Sequence, residues 1–223
     1  QNSGTAVILT IGQSNAANYA SHAYRSAHGD RVVNFFNGKC YIASSPLLGA
    51  DGPWAEYWTG LANRLVEAGT FENVVLISSA IGGSAVAQWE KRSAPASNVN
   101  SYLTARSPRS NLNQMLMDVL TYVRPHYRIT HVLWHQGESD YRTSVADYTT
   151  SFMSLVESMR VRGVWAPVYV CVTGGTRETN DPPVTQALRA LPDPSKGIFG
   201  GIDTDALIER SERNETGHFG PVA

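Results

Sequence analysis

The feature that most narrows the fold is the apolar run from Ala6 to Ile11 (AVILTI) and its abrupt stop at Gly12, Gln13, Ser14 and Asn15. It carries no charge and no period-two alternation, the signature of a central parallel strand covered on both faces. Gly12 permits a tight turn, and the small, polar residues from Asn15 to Ala20 suit the opening of a helix. Ser14 is therefore expected at the carboxyl end of a strand and near a helix amino terminus, where open α/β sheets gather their chemistry.

The same signature recurs along the chain. Arg31 to Phe36 (RVVNFF), bounded by Gly29-Asp30 and Asn37-Gly38, reads as a second strand. Asn73 to Ser78, Ile129 to Trp134 and Val168 to Val172 read as the third, fourth and fifth. Between them, helical spacing of apolar residues predicts helices over Ala55–Ala68, Asn111–Val123, Val145–Val161 and Val184–Leu191. Lys39 to Trp54 is rich in Gly, Pro, Ser and Ala and reads as loop, and Glu90 to Ser110 as a long surface excursion. Strands alternating with helices predict a three-layer α/β/α sandwich around a five-stranded parallel sheet. The 223 residues suit one domain, residues 1–223.

Composition excludes several functions. A formal net charge of -1 leaves no basic stripe to recruit nucleic acid, and no apolar run approaches the roughly 20 residues of a membrane span. Two cysteines, Cys40 and Cys171, are too few for a disulfide framework or a zinc site, and Cys171 within VYVCV reads as a free buried thiol. A start at Gln1 fits a processed secreted or periplasmic chain as well as a trimmed one, cytoplasmic chains included.

Unusual polar residues sit where these strands end: Ser14 after the first, Gly82-Gly83 after the third, and His135-Gln136-Gly137-Glu138 after the fourth, with His218 near the carboxyl terminus. A nucleophilic serine needs a base within hydrogen-bond reach and N–H donors aimed at the oxyanion of its tetrahedral intermediate. Taken singly, each residue has a blander reading as turn, surface or core polar group. Their joint placement on one sheet edge favours catalysis.

GQSNA at Gly12–Ala16, IGGS at Ile81–Ser84, WHQGESD at Trp134–Asp140 and GHFG at Gly217–Gly220 together resemble the SGNH hydrolases. More narrowly, they resemble the branch of sialate O-acetylesterases and the acetyl xylan esterases of carbohydrate esterase family six. The resemblance implies a flavodoxin-like sandwich with strand order 2-1-3-4-5, and a serine esterase needing no metal or cofactor that removes acetyl groups from sugars through an acyl-enzyme. Carried over by residue, Ser14 is the nucleophile and an oxyanion N–H donor, Gly83 gives a second N–H, Gln136 a side-chain amide, and His218 is the general base. The family places Asp three residues before the histidine. Glu215 stands there and reads as the orienting acid, while Glu138 is the competing carboxylate, read as a buried partner of its loop.

Trp54 and Trp89 are candidates for a sugar platform, whereas Tyr57 and Trp58 read as core. Arg106, Arg109 and Arg177 are candidate contacts to an anionic sugar such as sialate. The Asn214-Glu215-Thr216 sequon reads as unglycosylated, because a glycan there would obstruct His218. Short-chain lipid or aryl esters are an alternative substrate class. From a different class, a flavodoxin-like binding protein would use the strand-end glycines to cradle phosphate or flavin.

Overall fold

The computed structural model describes residues 4–91, 111–174, 181–207 and 212–220. Its centre is β1 (Thr5–Gly12), buried from Ala6 to Gly12 as the apolar run demands. The remaining strands are β2 (Val32–Phe36), β3 (Lys39–Ile42), β4 (Asn73–Ala80), β5 (His131–His135), β6 (Val168–Val172) and β7 (Ile198–Asp203). The helices are α1 (Trp58–Glu67), α2 (Leu112–Val123), α3 (Val145–Val161) and α4 (Pro183–Ala190).

The expected α/β sandwich is present, but the sheet is larger than predicted and differently ordered. It has seven strands in the order β3-β2-β4-β1-β5-β6-β7. The five expected strands therefore run second, third, first, fourth, fifth, so β1 lies between β4 and β5 and not beside β2. Nor is the sheet purely parallel, since β3 pairs antiparallel with β2. That hairpin turns on Asn37 and Gly38, both at positive φ, in a stretch expected to be loop. Both unpredicted strands form edges, and edges carry little apolar signal: β3 is exposed throughout and β7 is exposed over most of its length.

Helices α2, α3 and α4 cover one face, packing Leu116, Leu120, Phe152, Leu155 and Leu188 against Leu9, Ile11 and Ile77. Helix α1 covers the other face with Trp58, Ala62 and Val66 against Ala6, Ile8 and Leu76. Each fully buried Leu, Ile, Val or Phe among these contributes roughly 1.5–3 kcal/mol. Helix α3 has the predicted bounds, and its N-cap Ser144 accepts from Asp147 N. After β1 the expected helix is reduced to one 3-10 turn, Ser14–Ala16. Side-chain demands stop it from continuing, since Asn18 Nδ2 donates to the carbonyls of Leu47 and Ala50.

Candidate active site

The register of the three central strands builds the site. Gly12 is aligned with Ala80 of β4 on one side and with His135 of β5 on the other. The turns that follow, carrying Ser14, Gly82-Gly83 and Gln136–Glu138, therefore leave the sheet side by side. Because β4 and β5 are joined across β1, this is a topological switch point, where the crevice of an open α/β sheet lies. Gly12 has φ 142°, and a Cβ there would stand 2.0 Å from the His135 carbonyl oxygen, so only glycine lets the chain turn against β5.

Ser14 is half-buried in its 3-10 turn, and its backbone N–H has no acceptor among the described residues. Gly83, at φ 65°, is exposed, and its N–H likewise has no acceptor among the described residues. Around these donors the other polar groups are committed. Gly82 N donates to Asp51 Oδ2 at 3.3 Å, and Asp51 also accepts from Tyr19 OH at 3.1 Å.

His218 lies on a short loop docked against Tyr19 and Ser21, in the segment that follows the Ser14 turn. Ser21 N and Ser21 Oγ both donate to the Phe219 carbonyl, and the Tyr19 ring stacks on the imidazole with centroids 5.4 Å apart. Arg213 braces the loop through the carbonyls of Thr204, Leu207 and Gly217 and lies over the Phe219 ring. The sequon forms the turn itself: Asn214 Oδ1 accepts from Thr216 N, Thr216 Oγ1 and His218 N. Since Thr216 spends its one hydroxyl hydrogen on Asn214, His218 Nδ1 must donate to Thr216 Oγ1, at 2.7 Å. Nε2 is then the bare, basic nitrogen. Burial lowers the His218 pKa, the Glu138 charge opposes that, and Arg213 adds to the lowering.

The two carboxylates are placed very differently. Glu215 is exposed, with no hydrogen bond to His218, whose Nδ1 goes to Thr216. Glu138 Oε1 accepts from Asn15 Nδ2 at 2.6 Å, while its Oε2 is buried without a hydrogen-bond partner among the described residues. Of the pair, only Glu138 acts on the imidazole through its charge.

His135 lies beneath the site, fully buried, with Nδ1 2.7 Å from Tyr57 OH and Nε2 3.3 Å from Thr204 Oγ1. Burial lowers its pKa from 6.5 to about 4, against the pull of Glu138. Between these values the unfolded chain binds a proton that the folded chain refuses. Stability from this residue is therefore complete above about pH 6.5 and is lost as pH falls toward 4. The expected loss is about 3 kcal/mol, at 1.36 kcal/mol per unit. Urea melts between pH 7 and pH 4 should show it, and His135→Gln should remove most of that slope; an equally steep slope in the variant would assign it elsewhere.

Gln136 is fully engaged in the core. Its Nε2 donates among Ser84 O at 3.0 Å, Gln13 Oε1 at 3.2 Å and Asp140 Oδ2 at 2.5 Å, and its Oε1 accepts from Tyr148 OH. Asp140 also accepts from Val86 N, which ties the turn after β4 to the turn after β5. The roles of Asp140, Tyr148 and Gln13 escaped the sequence reading, although Asp140 stands inside the WHQGESD block. Trp89 is a core residue with no exposed surface, its Nε1 donating to Ser84 Oγ, so it offers no face to a sugar. Trp54 is 61% exposed and meets Tyr19 edge to face. Trp58 is buried with Nε1 on the Ala16 carbonyl, as a core residue should be. Arg106, Arg109 and Arg177 lie outside the described residues.

The sequence matches the family model for carbohydrate esterases of the sialic acid-specific acetylesterase type over residues 4–190. That span holds the Ser14, Gly83 and Gln136 blocks and stops short of His218. No curated protein matches the chain. Among solved structures, a protein from Arabidopsis thaliana is similar at 16% identity, over 99% of this chain and 92% of that one, with a TM-score of 0.69. NanS is similar at 16% identity, over 86% of this chain and 73% of its own, with a TM-score of 0.53. A carbohydrate acetylesterase from Xanthomonas citri is similar at 18% identity, over 90% of this chain and 50% of its own, with a TM-score of 0.51.

Proposed function

The chain belongs to the sialic acid-specific acetylesterase family of carbohydrate esterases and is an ester-hydrolysing enzyme, and from that premise we propose that it removes acetyl groups from sugar hydroxyls with Ser14 as nucleophile. The observation that carries the reading is the alignment of Gly12, Ala80 and His135, which sets Ser14 between two turns with the N–H groups of Ser14 and Gly83 uncommitted among the described residues.

In this mechanism Ser14 Oγ attacks the acetyl carbonyl carbon while His218 Nε2 takes the hydroxyl proton. The Ser14 and Gly83 N–H groups receive the oxyanion. Collapse breaks the ester bond, the sugar oxygen leaves with the proton from His218, and the acetyl group stays on Ser14. Water, deprotonated by His218, then attacks the acyl-enzyme, releasing acetate and restoring Ser14. Thr216 sets the imidazole tautomer, and Glu138 is the carboxylate that steadies the imidazolium. Glu215, exposed and unconnected to His218, has no part in it.

A fluorophosphonate probe tests the reading, since only an activated serine is labelled; peptide mapping should place the label on Ser14. Acetate release from acetylated xylan against O-acetylated sialic acid then sorts the substrates. Labelling elsewhere, or none with acetate still released, would remove Ser14 from the mechanism.

Trp54 is an exposed aromatic linked to His218 through the intervening Tyr19 ring. If a pyranose ring packs on it, Trp54→Ala should raise KM for an acetylated oligosaccharide about tenfold, or 1.4 kcal/mol. KM for p-nitrophenyl acetate, which has no sugar ring, should move less than twofold. Equal shifts for both substrates would count against a sugar platform.

A further inference from the structure

The side-chain amides of Gln13 and Gln136 meet beneath the Ser14 turn and have opposite hydrogen-bond accounts. A primary amide has two N–H hydrogens and one acceptor oxygen. Gln136 Nε2 faces three acceptors, at Ser84 O, Gln13 Oε1 and Asp140 Oδ2, so both hydrogens are spent inside the protein. Its orientation is fixed as well, because Ser84 O can only accept, and Asp140 Oδ2 already accepts from Val86 N.

Gln13 is held the other way round. Its Oε1 accepts from Gly137 N at 3.3 Å and Ser139 N at 3.0 Å. Backbone N–H groups can only donate, so the oxygen is on that side and the amide cannot be flipped. Its Nε2 has no partner among the described residues. It is also not among the buried side-chain atoms left unsatisfied, so it keeps access to solvent although Gln13 is only 3% exposed. A buried amide anchored at its oxygen by the turn after β5, with its N–H₂ open beside Ser14, is pre-organised as a donor.

We infer that Gln13 Nε2 is the side-chain donor to the oxyanion, beside the N–H groups of Ser14 and Gly83, and that Gln136 is the strut that holds Gln13 and Asp140 in place. The inference rests on Ser14 being the nucleophile. As the carbonyl oxygen gains charge, one Gln13 N–H closes on it with no internal bond to break. Gln136 would have to surrender a bond to Ser84, Gln13 or Asp140 to do the same.

The test is kcat on p-nitrophenyl acetate for Gln13→Glu, Gln13→Met and Gln136→Met, per active site titrated with a fluorophosphonate, and for Ser14→Ala, per mole of folded protein. Gln13→Glu keeps the acceptor for Gly137 and Ser139 but replaces the N–H donor with a second oxygen. It should lower kcat by about 10² to 10³ with KM within threefold, the signature of a bond made mainly in the transition state. Gln13→Met, which removes the donor without introducing charge, should lose about 10² and serves if Gln13→Glu does not fold. Gln136→Met should lower Tm, with a loss of kcat at least tenfold smaller than that of Gln13→Met. Gln13 variants that fold and turn over within threefold of wild type would overturn the assignment, as would Gln136→Met losing as much kcat as Gln13→Met. Should Ser14→Ala itself retain activity, the nucleophile assignment fails first; a dead Ser14→Ala beside active Gln13 variants removes Gln13 alone.

Discussion

Ser14→Ala should lower kcat on p-nitrophenyl acetate at least a thousandfold and leave the melting temperature nearly unchanged. The size follows from the role, because a nucleophile cannot be replaced in part: what remains is the rate contributed by binding and the oxyanion donors alone. The fold should tolerate the change. Ser14 is half-buried on a one-turn 3-10 segment, and the bonds that define that segment are backbone ones, from Ala16 N and Ala17 N to Gln13 O. A methyl group fits where a hydroxymethyl group stood. Stopped-flow traces should also lose any acyl-enzyme burst. A variant that stays folded and retains a tenth of wild-type turnover would move the nucleophile to another residue.

Much of this arrangement was legible in the sequence, for physical reasons particular to its parts. A strand buried on both faces has to be apolar throughout, which is why Ala6–Ile11 and Asn73–Ser78 stand out, and a glycine is demanded wherever the chain turns hard against its neighbour, as Gly12 does against His135. Helix α3 announced itself through Ser144 and the spacing of Tyr148, Phe152, Leu155 and Met159. The order of the strands was not legible. Each strand's own residues report burial but not which neighbour it meets, and β1 sits between β4 and β5 because the β4–α2–β5 connection steps over it. Edge strands β3 and β7 were missed because an edge needs no apolar run.

The site divides in the same way. Residue types after the strands made Ser14 and Gly83 candidates, as His218 was near the carboxyl terminus, but sequence cannot say which of two like groups is free. Gln13 and Gln136 are the same residue type, and the difference between them is made by Ser84 O and Asp140 on one side and by two backbone N–H groups on the other. Trp54 and Trp89 pose the same problem: one is open to solvent, and the other is packed edge to face on Trp134 with its N–H on Ser84. Spacing alone does not show what stands beside Nδ1. Position 215 sits three residues before the histidine, yet the Asn214–Thr216 turn fills the place beside Nδ1 with a hydroxyl.

Glu138→Gln should lower kcat by about 10² or more, with Glu215→Gln within threefold of wild type. When His218 takes the Ser14 proton it becomes a cation in a site where burial already disfavours charge. Thr216 orients the ring but, being neutral, offsets none of that cost. Glu138 does, and its charge works against both the desolvation and the nearby Arg213. Glutamine keeps the size and still accepts from Asn15 Nδ2 through its oxygen, so the variant should fold, whereas the imidazolium loses its counter-charge. General-base catalysis contributes typically 10² to 10⁴, which sets the scale of the loss. The pH profile separates this role from a purely structural one: without Glu138 the His218 pKa should fall further, moving the acid limb of kcat/KM to lower pH while the plateau drops. An unmoved acid limb with a lowered Tm would make Glu138 a structural partner of Asn15, and a large loss confined to Glu215→Gln would return the acid to the position three residues before His218.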